Sequence, residues 1–318
     1  LENGERIGYS RLLLATGASP RTLSVPGSAL PGVVTLRTAD DARQLAMRLH
    51  NGQRLVIVGG GFIGLEVAAS AVAAGCHVTV IEAGERLLMR AVPQEIAAHI
   101  EARHRNAGVQ FRFGVQLASI AGTNAVHEVR LIDGEAIRCD TVVVGIGAAP
   151  RTALAQTAGL EVADGIVVDD RLQTGDPDIF AAGDVCSFPH ALYGRRVRLE
   201  CWKNADDQGR IAARNMLGED LRYREVPWFW SDQYELSIQI AGLPAFGSGV
   251  VVRETSDALL LFHLSADGAL VAASGIGRAV GRDIRIAQML IGRNARVPAD
   301  ELADPSVKLK ALLAAEAA

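Results

Sequence analysis

Residues 54–82 read RLVIVGGGFIGLEVAASAVAAGCHVTVIE, and this stretch decides the fold. Its first apolar run, 55–58, has the length and the β-branched content of a buried strand. Apolar residues then recur at helical spacing from Ile63 to Val72, and 77–82 is again typical of a strand. The stretch therefore predicts a strand, a tight turn, a helix and a second strand.

The glycines of this turn form a GxGxxG pattern at Gly59, Gly61 and Gly64. In this pattern the first glycine allows the sharp turn, the second lets a pyrophosphate approach the backbone, and the third lets the helix pack closely on the strand. The helix N-terminus, with its unpaired N–H groups and positive dipole end, then faces the phosphates. We therefore predict a dinucleotide site that includes Phe62 and Ile63 at the start of the helix.

Glu82 ends the second strand at the distance from the turn where a carboxylate binds the ribose hydroxyls of a dinucleotide. The same charge repels a 2′-phosphate, so we predict NAD(H) rather than NADP(H). Further along the chain, 141–147 reads TVVVGIG, which is typical of a buried strand followed by a turn of small residues. Because such a strand end lies beside the dinucleotide in an open parallel sheet, Gly147 joins the predicted site.

Composition limits the partners and the compartment. The chain has 318 residues and a formal net charge of −4, so it is long enough for more than one domain and gives no indication of a nucleic-acid partner. We find neither an apolar run of membrane-spanning length nor a signal peptide at the start of the sequence. We therefore expect a soluble, cytoplasmic protein with no membrane association.

Cysteine and histidine spacing predicts no metal site. Four cysteines are scattered along the chain: Cys76, Cys139, Cys186 and Cys201. Without a CxxC pair they indicate neither a zinc site nor a dithiol redox centre, and most are expected to be small core residues in a reducing compartment. His99 and His104 share a predicted helix over 93–106 but lie on different faces, so we interpret both as surface residues.

Two segments outside the nucleotide unit combine a buried strand with a turn of small residues. They are RLLLATG at 11–17 and IFAAGDV at 179–185, and the second places Asp184 at a strand end. A helix is predicted over 202–217. Its predicted inward residues are Ala205, Ile211, Ala212 and Met216.

From Trp228 onward the composition changes. Crowded aromatic residues are followed by alternating apolar runs and by predicted helices over 282–291 and 307–315, which indicates a separate α+β domain with an antiparallel sheet. Glycines at 275, 277 and 281 imitate a phosphate loop. Their spacing is one residue too long, so we do not interpret them as a second nucleotide site.

Five motifs together resemble one family. They are ATG at 15–17, GGGFIGLE at 59–66, VGIG at 144–147, IFAAGDV at 179–185 and PWFWSDQ at 227–233. The family is that of the FAD-dependent, NADH-oxidising ferredoxin reductases of bacterial dioxygenases and cytochromes P450, of the putidaredoxin reductase type. The likeness covers essentially the whole chain, and the PWFWSDQ segment is its most specific mark.

The resemblance implies an α/β fold in which a Rossmann-like NAD(P)-binding domain is inserted in an FAD-binding domain and followed by a C-terminal α+β domain. It assigns 1–38 and 149–227 to the FAD-binding domain and 39–148 to the NAD-binding domain. Residues 228–318 become a C-terminal domain of the reductase dimerisation or interface type. Reductases of this type begin with a first GxGxxG for the FAD pyrophosphate, so we expect this flavin domain to lack its first βαβ unit.

The same resemblance implies a flavin groove. Asp184 would bond to the ribityl chain of FAD and Arg37 would lie beside the cofactor, while Thr16 and Gly17 line the groove. The alternative for Asp184 is a turn carboxylate that caps nearby N–H groups.

The resemblance also implies roles at the redox centre. Trp202 and the N-terminus of its helix would face the pyrimidine end of the isoalloxazine, where a positive dipole end stabilises the anionic reduced flavin. Trp230 would stack near the ring, although an aromatic core cluster is the alternative. Glu66 resembles the family's acid beside the nicotinamide, and its alternative is a carboxylate that merely interacts with the helix dipole.

The implied activity is hydride transfer from NADH to FAD, followed by single-electron transfers to an iron–sulfur ferredoxin. No catalytic side chain is predicted, because the cofactors carry the chemistry. A basic patch that docks an acidic ferredoxin is a further hypothesis, and a solvated helix face is its alternative. Its members are Arg278, Arg282, Arg285, Arg293 and Arg296.

Two other functions stay open. The first is a pyridine nucleotide-disulfide reductase, although the C-terminal region offers only His263, isolated in a strand, in place of the His and Glu that form the acid–base pair of those enzymes. The second is a non-catalytic NAD-binding module that is unable to hold FAD.

Overall fold

The computed structural model describes residues 3–89 and 91–315. The strands are β1 (Leu12–Leu14), β2 (Ala18–Pro20), β3 (Val33–Thr35), β4 (Arg54–Val58), β5 (His77–Glu82), β6 (Gln110–Phe113), β7 (Leu117–Gly122), β8 (Val126–Leu131), β9 (Ala136–Arg138), β10 (Thr141–Val144), β11 (Ala148–Pro150), β12 (Ile166–Val167), β13 (Ile179–Ala181), β14 (Cys186–His190), β15 (Arg195–Val197), β16 (Trp228–Gln233), β17 (Leu236–Gly242), β18 (Gly249–Glu254), β19 (Ala258–Leu264) and β20 (Leu270–Gly277). The helices are α1 (Ala39–Ala46), α2 (Phe62–Ala73), α3 (Gln94–Asn106), α4 (Ala153–Thr157), α5 (Trp202–Met216), α6 (Gly281–Gly292), α7 (Ala299–Ala303) and α8 (Leu309–Ala315).

The nucleotide unit is a parallel sheet in the order β3-β10-β4-β5-β6. Each residue of β10 is buried, because Val143 packs in one hydrophobic cluster and Val142 and Val144 pack in another, on the opposite face of the sheet. Strands β7, β8 and β9 form a separate antiparallel layer. Strand β3 belongs to this parallel sheet although it precedes the domain boundary predicted at residue 38, and that boundary stays a prediction.

The flavin side is built from segments on either side of the nucleotide unit. Strand β1 pairs with β13 in parallel, and β14 pairs with β12 and β15. The chain crosses between the two units through β2 and β11, which form an antiparallel pair. This pair explains how two segments that are far apart in sequence build one layer.

Helix α5 forms where it was predicted, but its buried face is mostly polar. The buried residues are Asn204, Gln208, Ala212 and Asn215. Ala205, Ile211 and Met216, which were predicted to point inward, are only half-buried. The polar side chains can be buried on this face because they form hydrogen bonds. Gln208 accepts from the Gly183 N–H, and Asn215 accepts from the Leu221 N–H.

The C-terminal domain is an antiparallel sheet in the order β16-β17-β20-β19-β18. One face packs on the nucleotide unit, where Ile238, Ile240 and Leu261 join its core, and the other face is covered by α6, α7 and α8. The aromatic segment that begins at Trp228 is itself the edge strand β16, which the sequence did not predict as a strand. The glycines at 275 and 277 lie within β20.

Among the residues that the structure describes, no helix is both long and apolar enough to cross a bilayer. The four cysteines are free, and all but Cys201 are buried.

Candidate functional site

The GxGxxG turn has the geometry that its glycines require. Gly59 adopts a φ of +110°, and a Cβ there would lie 2.3 Å from the carbonyl oxygen of Gly145. A Cβ on Gly64 would lie 2.3 Å from the carbonyl oxygen of Gly59. At Gly64, helix α2 therefore approaches the end of strand β4 more closely than any side chain allows, as the sequence predicted, and at Gly59 the turn contacts the residues that follow β10 equally closely.

The N-terminus of α2 is open toward solvent. Gly61 is its N-cap, and no side chain in the described part of the chain caps this end. A Cβ on Gly61 would meet nothing within 4 Å, so free space lies directly in front of the turn. Unpaired N–H groups beside free space form a ready binding site for an anion such as a pyrophosphate.

Glu82 has a structural role that sequence reasoning missed. One oxygen of its carboxylate accepts from the Gly60 N–H at 2.7 Å, and the other accepts from the Gly84 N–H at 2.7 Å. The carboxylate therefore holds the glycine turn in place. An ionised carboxylate has about four lone-pair sites, so it can still accept from ribose hydroxyls, which stays the predicted role.

Glu66 lies one turn into α2 and contacts the C-terminal domain. Its carboxylate accepts from the Ser231 hydroxyl at 2.5 Å. Burial raises the pKa of Glu66, the bond from Ser231 lowers it, and the nearby charge of Asp232 raises it again. Beside this contact the rings of Phe62 and Phe229 lie 4.4 Å apart. Strand β16 thus forms one wall of the nucleotide site.

His104 contradicts the surface position predicted for it. It is fully buried and bonds to Gln233 at 2.9 Å, whereas His99 is exposed as expected. Burial lowers the pKa of His104. Ser231, Gln233 and His104 are the functional candidates that sequence reasoning missed. The signal available for two of them was the SDQ that ends the PWFWSDQ motif.

A cavity of about 440 Å³ lies on the flavin side. Gly17, Arg37, Asp184 and Trp202 all line it, so the structure brings together most residues that the resemblance assigned to FAD. Arg37 pairs with Asp184 at 2.8 Å. The cavity therefore offers a guanidinium and a carboxylate side by side.

Thr16 and Gly147 lie at the crossing strands. The Thr16 hydroxyl donates to the Arg151 carbonyl at 2.7 Å, and the Gly147 carbonyl accepts from the Arg21 N–H at 2.9 Å. These contacts tie the two connecting segments together. Thr16 and Gly147 line neither the flavin-side cavity nor the apolar cavity next to it. Their predicted contacts with cofactors therefore stay predictions.

The flavin-side cavity fits the polar chain and flat ring of a flavin. Gly183 lines it with a φ of +82° and donates its N–H to Gln208, whose buried Nε2 has no partner among the described residues. Trp202 is 66% exposed at the N-terminus of α5, beside the cavity. Charged groups for hydroxyls, an exposed aromatic face and a helix N-terminus suit the ribityl chain and the isoalloxazine ring of FAD.

The two sites share one crevice. An apolar cavity of about 550 Å³ extends from Phe62, at the glycine turn, past Phe229 to Glu200 and Cys201. Glu200 and Cys201 also line the flavin-side cavity. The cavity beside the glycine turn and the cavity beside Asp184 therefore adjoin at these two residues.

Three tryptophans mark the junction. Trp228 and Trp230 stack with centroids 4.9 Å apart, and Trp202 meets Trp230 edge-on at 6.3 Å. Trp230 is 38% exposed and Trp202 more so, which does not fit a closed core cluster. Exposed aromatic faces beside a cavity are typical of a ring-binding site.

Comparisons with known proteins agree with this geometry. Residues 1–209 match the family described as pyridine nucleotide-disulphide oxidoreductase, and residues 228–313 match the family described as reductase C-terminal. The chain is 43% identical to the ferredoxin–NAD(+) reductase component of the anthranilate 1,2-dioxygenase system of Burkholderia cepacia, over 98% of this chain and 77% of that protein. It is 38% identical to the putidaredoxin reductase of Pseudomonas putida, over 99% of this chain and 76% of that protein. The crystal structure of the covalent putidaredoxin reductase–putidaredoxin complex matches with a TM-score of 0.95 at 36% identity, over 99% of this chain and 77% of that one.

Proposed function

Because the chain belongs to the pyridine nucleotide-disulphide oxidoreductase family, and to the ferredoxin–NAD(+) reductases within it, we propose that it passes electrons from NADH through FAD to a ferredoxin. Enzymes of this family use FAD and NAD(H). The observation that carries the proposal is the shared crevice, in which Glu200 and Cys201 line both the nucleotide-side and the flavin-side cavity.

The nucleotide side binds and orients NADH. The open N-terminus of α2 takes the pyrophosphate, and Glu82 takes the adenine-side ribose hydroxyls while it holds the turn. Glu66 lies one helical turn further on, where a carboxylate faces the nicotinamide. A negative charge there stabilises positive charge that develops on the ring as hydride leaves.

The flavin side holds FAD through Asp184, Arg37 and the backbone around Gly17 and Gly183. When bound, FAD accepts a hydride and releases electrons one at a time, which is the step that links NADH to a one-electron acceptor. Trp202 and Trp230 present exposed aromatic faces at the junction, on which a flavin ring can pack. The N-terminus of α5 supplies positive potential.

The electron acceptor is a ferredoxin, in keeping with the relatives' names. Of the arginines in the predicted docking patch, Arg293 bonds to the Leu313 carbonyl and Arg296 pairs with Asp267. Arg282 and Arg285 are both exposed on α6 and are separated by about one turn. Arg278 is exposed as well, so the docking hypothesis is narrowed to Arg278, Arg282 and Arg285. We also propose a cytoplasmic location, which the four free cysteines favour.

The test is direct. The purified chain is incubated with FAD, separated from free flavin, and mixed anaerobically with NADH while flavin absorbance is recorded. We expect a yellow protein that NADH bleaches, since both cofactors meet in one crevice. A colourless protein that still binds NAD⁺ would contradict the proposal and favour the non-catalytic module. A protein that NADH bleaches but that passes its electrons to small disulfides rather than to a ferredoxin would favour a disulfide reductase.

A further inference from the structure

A buried chain of hydrogen bonds links the nucleotide site to the far end of the C-terminal hairpin. The Ser231 hydroxyl bonds to Glu66 at 2.5 Å, and Gln233 Nε2 donates to Ser231 Oγ at 3.0 Å. His104 Nε2 lies 2.9 Å from Gln233 Oε1, and the Tyr234 hydroxyl lies 3.0 Å from His104 Nδ1. Ser231, Gln233 and His104 are each at most 1% exposed.

The donors of this chain all point toward Glu66. Burial lowers the pKa of His104, so the ring is neutral, donates from Nε2 to Gln233 and accepts from Tyr234 at Nδ1. Gln233 then donates to Ser231, whose proton is left for the Glu66 carboxylate. In the opposite orientation the Gln233 amide oxygen would accept the hydrogen bond from the Ser231 hydroxyl. The Ser231 oxygen and the Glu66 carboxylate oxygen would then face each other with no proton between them. An ionised Glu66 therefore requires the observed direction.

The outer end of the chain is fixed by helix α3. Tyr234 has a φ of +57° in the turn between β16 and β17, a conformation that costs energy for a residue other than glycine. The Arg103 guanidinium lies 3.9 Å from the centre of the Tyr234 ring and pairs with Glu235. These contacts hold the strained turn, and with it the hydroxyl that faces His104.

The chain positions groups and does not conduct protons. A proton relay requires each member to accept a proton at one atom and release one at another, and the Gln233 amide does not do this in its ordinary form. What the chain supplies is a fixed donor for a partly buried carboxylate. A hydrogen bond to a charged group is stronger than one between neutral groups, so a fixed donor favours the ionised form of Glu66.

We propose that Gln233 and His104 are positioning residues, which act through Ser231 to hold Glu66 as the counter-charge of the oxidised nicotinamide ring. The inference rests on the proposed binding of NAD(H) at the α2 turn. A fixed negative charge favours the cationic ring of NAD⁺ over the neutral ring of NADH. The C-terminal domain thereby sets the preference of the nucleotide site between the two redox forms of its ligand.

Two charged side chains act on Glu66 and His104, the two members of the hydrogen-bond chain that can change charge near neutral pH. The charge of Asp232, next to Ser231 in β16, disfavours ionisation of Glu66, and the charge of Arg103, next to His104 in α3, disfavours protonation of the His104 ring. Loss of the Ser231 donor leaves burial and Asp232 acting alone, so the pKa of Glu66 rises further. The pH below which NAD⁺ binding weakens then moves upward.

The experiment measures binding of NAD⁺ and of NADH by titration calorimetry across neutral pH, with no flavin added. For Gln233→Met we expect about tenfold weaker NAD⁺ binding, NADH binding within about twofold of wild type, and a pH profile shifted upward. Gln239→Met is the matched control, since Gln239 lies on the next strand and points to the other face of the sheet. It should leave both nucleotides unchanged.

A background without the carboxylate separates positioning from general damage. In Glu66→Gln the preference for NAD⁺ and its pH dependence should vanish, and adding Gln233→Met should then change nothing further. Should Gln233→Met fail to fold, His104→Phe and His104→Gln give the same test. The glutamine retains a donor for Gln233 and should restore what the phenylalanine loses.

Equal losses for NAD⁺ and NADH, or a Gln233→Met effect that persists in Glu66→Gln, would overturn the positioning role while leaving nucleotide binding intact. A wild-type chain that binds neither nucleotide would overturn the proposed function together with this inference. The two failures are therefore distinguishable.

Discussion

The nucleotide side and the flavin side of the crevice are built in opposite ways. Apart from its β16 wall, the nucleotide side comes from one continuous stretch, in which β4, the glycine turn, α2 and β5 follow each other between Arg54 and Glu82. The flavin side gathers Gly17, Arg37, Asp184 and Trp202 from separate parts of the chain. A local site can be recognised from spacing alone, whereas a dispersed one becomes visible only once the chain has folded.

The difference also concerns what holds each site together. At the glycine turn the backbone itself is the limiting element, because Gly59 and Gly64 leave no room for a side chain. In the flavin-side cavity the limiting element is a pair of side chains, Arg37 and Asp184, that is partly open to water. We therefore expect substitutions to affect folding on the first side and ligand affinity on the second.

The largest effect should come from Gly64→Ala. Its new Cβ would lie 2.3 Å from the Gly59 carbonyl oxygen, so helix and strand must separate, at a cost of about 3 kcal/mol of unfolding free energy. Gly61→Ala is the matched control, since its Cβ meets nothing within 4 Å. We expect it to leave stability within about 0.5 kcal/mol of wild type.

Denaturant unfolding and NADH titration together measure this contrast. Gly61→Ala should weaken NADH binding about tenfold without unfolding the protein, because its methyl group occupies the space that a pyrophosphate needs. Equal stability of Gly64→Ala and Gly61→Ala would contradict this comparison. The close backbone contact at Gly64 would then not determine which side chains the turn can accept.

Asp184→Asn should have the next largest effect, this time on FAD affinity. The substitution leaves the Arg37 guanidinium without an ionised partner and replaces one acceptor oxygen by an NH₂ donor, so we expect about thirtyfold weaker FAD binding, or about 2 kcal/mol. Arg37→Met should act in the same direction. Flavin fluorescence titration is the measurement, and NADH affinity should not change.

The control for this pair is Arg43→Met. Arg43 pairs with Asp40 on the exposed surface of α1, where an ion pair contributes little. If Asp184→Asn weakened NADH binding as much as FAD binding, the two sides of the crevice would not be independent.

The smallest effect should come from substitution of Glu82, whose side chain both holds the backbone of the glycine turn and is predicted to bind the ligand. Glu82→Arg should shift preference toward NADPH, but the arginine cannot accept from the Gly60 and Gly84 N–H groups, so the turn should also loosen. We expect about a tenfold fall in NADH affinity, or about 1.4 kcal/mol. Glu82→Gln, which keeps an acceptor, should lose less. Wild-type protein that binds NADPH as tightly as NADH in the same titration would contradict the role of this carboxylate.

Several features could be predicted from the sequence because each depends on near neighbours along the chain. The glycine turn, the buried strand at 141–144 and helix α5 all formed where spacing and composition placed them. The family and its two-cofactor activity were likewise predicted correctly, from motifs that are each only a few residues long.

Other features could not be predicted, and the reasons are physical. The spacing of His104 on α3 indicated a surface residue, but β16 covers that face of the helix and supplies Gln233 as a partner. The polar face of α5 is buried because the backbone around Gly183 and Leu221 provides partners for it. Both cases depend on contacts between segments that are far apart in sequence.

The sequence by itself determined the strand–turn–helix–strand nucleotide unit, its glycine turn and the family, because strand length, helical spacing and glycine placement act within one stretch of chain. Only the tertiary structure decided that Arg37 meets Asp184, that Glu82 holds the turn, and that Ser231 reaches Glu66. Burial and hydrogen bonding between distant segments determine these contacts. The spacing of residues along the chain does not indicate which distant segment will pack against them.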